Sequence, residues 1–202
     1  MSALIDILIP RQNYELVLDR IGEILAVEFE NQAVLNNYDM DEVSIYKERT
    51  VPCQPSELAM VNVSLFSDDF VEDTQAQSQG MVRYIIEVFT NSKTEGDVRG
   101  DTIAALRLHR ILGVIRSILM DPRYKTLGFA PPSIGHRKVE RIFFMAAPNQ
   151  DANTTRIGRL EFLVKVPEVP ANFVTPVALT ENFSQVTLAE TELGYQWIYR
   201  SY

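Results

Sequence analysis

Cys53, His109 and His136 are the side chains in this 202-residue sequence best suited to nucleophilic, acid–base or metal chemistry, and their spacing forms none of the usual arrangements. A thiolate activated by an imidazole would need Cys53 beside one of the two histidines. Cys53 instead lies in Val51-Pro-Cys-Gln-Pro55, where a lone thiol between two prolines reads as a small apolar residue of a connection. The histidines stand 27 residues apart with no His-x-x-x-His or Cys-x-x-Cys beside them, so no zinc-type ligand set is predicted. His109 falls on the polar side of a helical pattern and His136 in a loop with Gly and Pro, both solvated positions.

Two further candidates reduce to structure. Thr94-Glu-Gly-Asp-Val-Arg-Gly-Asp101 precedes a helical pattern as a phosphate loop does. It lacks the lysine and glycine spacing of that motif, and Glu95, Asp97 and Asp101 would repel phosphate at the helix N-terminus. Glu87 lies inside an apolar run, where a carboxylate pKa can rise, yet alternation puts it on the face opposite Tyr84, toward solvent. The residues thus predict no catalytic, cofactor-binding or metal site, and a protein that is not an enzyme.

The elements around these residues are more strongly patterned than the residues themselves. Met81 to Thr90 sets Val82, Tyr84, Ile86 and Val88 on one face at period two and reads as a strand. A helix is predicted from Asp101, its N-cap, to Met120, ended by Asp121-Pro122, with Ala104, Ala105, Leu108, Ile111, Leu112, Val114, Ile115, Ile118 and Leu119 on the apolar half. Lys138 to Ala146 and Ile157 to Val166 alternate as a hairpin, the second with Leu160, Phe162, Val164 and Val166 against Arg159, Glu161 and Lys165. Upstream, an amphipathic helix runs from its cap Asn13 to about Asn36, followed by strand candidates at Val43 to Arg49 and Ala59 to Phe66. Each helix has one wide apolar face that one sheet face can bury, so the expected fold is α+β, an antiparallel sheet with both helices packed on one face. Ser67 to Gly80, with Asp68, Asp69, Glu72 and Asp73 and few apolar residues, is expected to be a mobile acidic loop.

Composition bounds the class. With 46% apolar and 23% charged residues the chain is that of a globular domain, and its apolar stretches fall short of the ~20 residues of a membrane helix. The start of the chain has no secretory pattern, and a single cysteine excludes an internal disulfide, so a cytoplasmic origin without membrane contact is expected. Charge is segregated: residues 1–80 hold 4 basic and 15 acidic side chains, residues 81–166 hold 14 and 8, and residues 167–202 hold 1 and 4. An acidic portion is expected to meet a basic one, within a molecule or between copies. Affinity for DNA is the other reading, and no aromatic-interleaved basic cluster supports it.

The order of elements, with Ile86-Glu-Val-Phe89, Gly100-Asp101 opening a helix that carries Leu106, Leu112, Ile115-Arg116 and Ile118-Leu119, then Leu127-Gly128-Phe129, Pro132 and Gly158-Arg159-Leu160-Glu161-Phe162, resembles the tail terminator proteins of tailed bacteriophages. The likeness covers most of residues 13–166 and rests on core and turn positions. It implies a terminator-like domain over residues 1–166 with a C-terminal extension over 167–202, assembled as a ring, usually of six copies, at the head-proximal end of the tail. Such a ring ends tube polymerisation and offers the surface where the head docks. The implied partners are other copies of the chain, the tail tube protein and a head-tail connector or neck protein. DNA passes through the lumen without specific binding, and no cofactor is implied. Another virion part, such as a connector, tube or baseplate subunit, is the alternative.

One helix face is left over from the core. Leu106, Arg110, Gly113, Ser117 and Met120 fall within about 80° of one another, opposite the apolar arc. A slightly apolar solvated face with a tolerated glycine would explain them. So would a subunit interface, in which Gly113 admits a neighbouring backbone and Arg110 pairs with an acid of the partner's N-terminal half.

Overall fold

The structure, a computed structural model, describes residues 11–36, 43–51, 53–54, 56–74, 77–92, 100–129, 134–145, 155–167, 181–187 and 194–200, without the side chains of 71–78 and those beyond 167. The main body is a five-stranded sheet with two helices on one face, an α+β fold. In chain order it comprises α1 (Asn13–Leu35), β1 (Val43–Lys47), β2 (Ala59–Thr74), β3 (Gln77–Thr90), α2 (Gly100–Met120), β4 (Arg137–Met145) and β5 (Arg156–Pro167), with a 3₁₀ turn at Pro122–Tyr124 after α2. The strands lie in the order β1-β2-β3-β5-β4. Two later strands, β6 (Glu181–Thr187) and β7 (Gly194–Arg200), pair with each other in a separate two-stranded sheet.

Period two decides the sheet's inner face. Val61 and Val63 of β2, Val82, Tyr84, Ile86 and Val88 of β3, and Leu160, Phe162, Val164 and Val166 of β5 all point to the helices and are buried. Against them lie Val17, Ile21, Leu25 and Phe29 of α1, over β1 and β2, and Leu108, Ile111, Leu112, Ile115 and Leu119 of α2, over β3, β5 and β4. Each large apolar side chain so buried contributes about 1.5–3 kcal/mol, which gives this layer the main share of the stability. Tyr84 spans it: its ring is fully buried and its hydroxyl donates to Tyr14 O at 2.9 Å.

Several expectations need correction. The sheet is mixed, because β1 runs parallel to β2 with Val43 beside Ala59 and Lys47 beside Val63. Alternation shows which face a residue takes and not which way the strand runs. Reversal begins at Glu48, in the left-handed region at φ 50°, whose N–H donates to Val63 O at 2.9 Å. Helix α1 is capped by Gln12, not Asn13: Gln12 N donates to Glu15 Oε2 at 2.7 Å, while Asn13 is buried in the first turn and donates to Pro167 O. Asp101 likewise falls inside α2, which starts at Gly100. In β4 a bulge between Val139 and Arg141 puts Val139 and Ile142 together on the inner side, where strict alternation separates them.

The acidic stretch is the largest correction. Ser67 to Gly80 is a β-hairpin, with β2 continuing to Thr74 and β3 starting at Gln77 in one antiparallel ladder that includes Asp69 beside Met81 and Phe70 beside Gly80. A polar composition reports that a segment buries little, whereas ladder bonds need only a partner in register, and the buried part of β2 and β3 supplies that register. Beyond the Lys47–Val63 pair no strand among the described residues borders the outer side of β2, and beyond Pro167 the β2–β3 pair runs on alone. At Gly80 the Asp68 carboxylate occupies the space a Cβ would take, so a larger residue there needs that side chain to move. The Leu127-Gly128 turn is equally constrained. Both residues have positive φ, 51° and 81°, and Arg20 packs on Gly128 while its Nε donates to Leu127 O at 2.9 Å.

Candidate interaction site

The residues singled out for chemistry are not brought together. Cys53 is half-buried, its Sγ accepts from Asn91 Nδ2 at 3.4 Å, and burial with the nearby Glu57 carboxylate pushes the thiol up to about 11, so it is protonated at neutral pH. His109 is exposed on α2 with its ring edge-on to Phe144 at 4.7 Å, and His136 is exposed just before β4. Among the described residues no cluster of three or more His, Cys, Asp or Glu side chains could hold a metal ion. No helix of the described residues is long and apolar enough to cross a membrane.

Polar groups instead build two frameworks. The first clasps the connection between β1 and β2. Arg49 meets Glu57 with two bonds of 2.7 and 3.1 Å and stacks on Tyr46 at 4.1 Å, Tyr46 OH donates to Glu57 at 2.9 Å, and Gln54 N to its other oxygen at 2.7 Å. These donors, Arg49 first, hold the Glu57 carboxyl down at about 2. Buried Asn62 exchanges two bonds with the Arg49 backbone, and Asn91 reaches in from the end of β3. The second covers the sheet face away from the helices. Burial raises the Glu161 carboxyl, but bonds from Arg141 at 2.9 Å and Arg83 at 2.5 Å outweigh it and leave the group below its ordinary value. Arg83 also reaches Glu140 at 2.7 Å, and Glu87 holds Arg159 at 2.6 Å. Glu87 is therefore committed to an ion pair.

The strip on α2 stands where the helical wheel puts it. Leu106, Arg110, Gly113, Ser117 and Met120 are all exposed, Leu106 by 64% and Met120 by 40%. A Cβ on Gly113 would meet nothing within 4 Å, so no contact among the described residues requires a glycine there. Ser117 Oγ donates back to Gly113 O at 2.9 Å and is spent on the helix itself. Arg110 and Arg116 have no carboxylate partner among the described residues. On one side of the strip, Gly113 and Ser117 line an open groove of about 450 Å³ whose other wall is Glu28 and Gln32 of α1. On the other side lies Phe144, 58% exposed.

Sequence reasoning missed the aromatics of the hairpin. Phe66 and Phe70 are 67% and 65% exposed, Phe66 as the extra residue of a bulge between Leu65 and Ser67, with the exposed Asp69 beside them. The available signal was two phenylalanines four residues apart inside an acidic run, where a solvated segment has no use for them. The chain matches no model of a known protein family and no curated protein.

Proposed function

We propose that this protein is a structural subunit that assembles head-to-tail into a ring, in the manner of a bacteriophage tail terminator that caps the tail tube and presents a docking surface to the head. The observation that carries the reading is the strip on α2. It has two exposed large apolar side chains, an arginine with no carboxylate partner among the described residues and a glycine that no contact among them requires, and it runs along a helix whose other half is fully committed to the core. Gly113 costs about 1 kcal/mol relative to alanine in a helix, a cost that close approach of a neighbour would offset. The α+β architecture and the segregation of charge agree with such a subunit.

Electron microscopy of the purified protein and its mass by light scattering test it directly: closed rings are expected, and a monomer at every concentration would refute it. The variant Gly113→Glu should keep the parent's circular dichroism and melting, because its side chain enters open space, while losing the ring through bulk and charge. A variant that assembles as well as the parent removes α2 from the contact.

A further inference from the structure

We propose that the α2 strip of one copy receives the arm at the end of the β2–β3 hairpin of the next copy. The inference rests on the ring reading and names the surface that fills the strip. The arm is acidic and aromatic: residues 66–80 include four carboxylates and no basic side chain, and Phe66, Asp69 and Phe70 are exposed on it. The strip is basic and apolar on its outward side, with Leu106, Met120 and the neighbouring Phe144 exposed and Arg110 and Arg116 without a carboxylate partner among the described residues, while the acids that border its groove, Glu28 and Asp121, are engaged by Tyr124 and Arg123. Each patch holds the charge and the apolar surface that the other lacks.

Dimensions agree. Phe66 and Phe70 are about 13 Å apart along a strand. Leu106 and Met120 are about 21 Å apart along a helix, with Gly113 midway. A strand laid along α2 would therefore pass over the one position with no side chain. The two patches also sit on different parts of the fold. Phe70 borders Asn13 and Tyr14 of α1, on the β2 side of the sheet, whereas α2 lies over β3, β5 and β4. A contact between unlike patches of identical chains is heterologous, and repeating it closes a ring when the rotation allows.

Two variants and their mixture test this. The arm variant carries Phe66→Ser, Asp69→Lys and Phe70→Ser; the helix variant carries Arg110→Glu and Arg116→Glu. All five side chains are exposed, so each variant should melt like the parent, and circular dichroism checks that. Each alone is expected to be monomeric where the parent is a ring. Mixed in equal amounts they should form a one-to-one dimer by light scattering, because the intact arm of one meets the intact helix of the other. If the parent forms rings and either variant does too, or if the mixture stays monomeric, this contact is wrong and the ring reading stands. A parent that never assembles overturns both.

Discussion

Glu57 shows at the scale of one residue how a carboxylate can be central without being catalytic. Its side chain is only 16% exposed and accepts from Arg49, Gln54 and Tyr46, which holds it at about 2 against an ordinary 4.5. A depressed folded value means that the ionised group stabilises the fold fully above about pH 4.5 and progressively less as pH falls toward 2. Glu57→Gln should therefore cost about 1–2 kcal/mol at pH 6, after allowance for solvent screening, and almost nothing at pH 2. Urea unfolding at the two pH values measures this, and an equal loss at both would contradict it. None of this was legible in the sequence, because Arg49, Tyr46 and Glu57 meet only through the reversal that makes β1 parallel. The solvent-facing positions of His109 and His136 were legible, since one follows from helical periodicity and the other from loop chemistry.

Among the elements, those with a full apolar face were read correctly. Strands β3 and β5 and both helices keep their sequence-derived faces because burial enforces period two or 3.6, and the two helices share one side of the sheet as two wide apolar arcs require. What failed was whatever burial does not control: the direction of β1, the bulge in β4 and the pairing of the acidic hairpin. The same distinction gives a prediction on α2, where two leucines six residues apart have opposite roles. Leu112 is 1% exposed and Leu106 64%. Leu112→Ala should cost about 2–5 kcal/mol through the lost contacts and the cavity left behind. Leu106→Ala should stay within about 0.5 kcal/mol in the monomer. Chemical denaturation at a concentration too low for assembly compares them, and similar losses would mean that Leu106 belongs to the core.

For the whole molecule, charge segregation in the sequence has a double outcome. Arg83, Arg141 and Arg159 of the basic middle pair with Glu161, Glu140 and Glu87 of the same segment on the outer face of the sheet, which leaves the segment's excess of basic side chains in place. On α2, Arg110 and Arg116 face outward with no carboxylate partner among the described residues. Strand order also dictates a sequence of events in synthesis. The strand β5, which sits between β3 and β4 and supplies Leu160, Phe162, Val164 and Val166 to the interior, is the last of the five to leave the ribosome. Until it arrives, β3 offers a bare edge beside an uncovered apolar face, a template for pairing with any other nascent chain. A chain truncated after residue 155 should accordingly aggregate at micromolar concentration by light scattering, and a soluble monomer with the parent's helix content would refute this. Vectorial folding thus stalls at a three-stranded sheet with β4 still unpaired, and in the cell that waiting state is where a chaperone has something to hold.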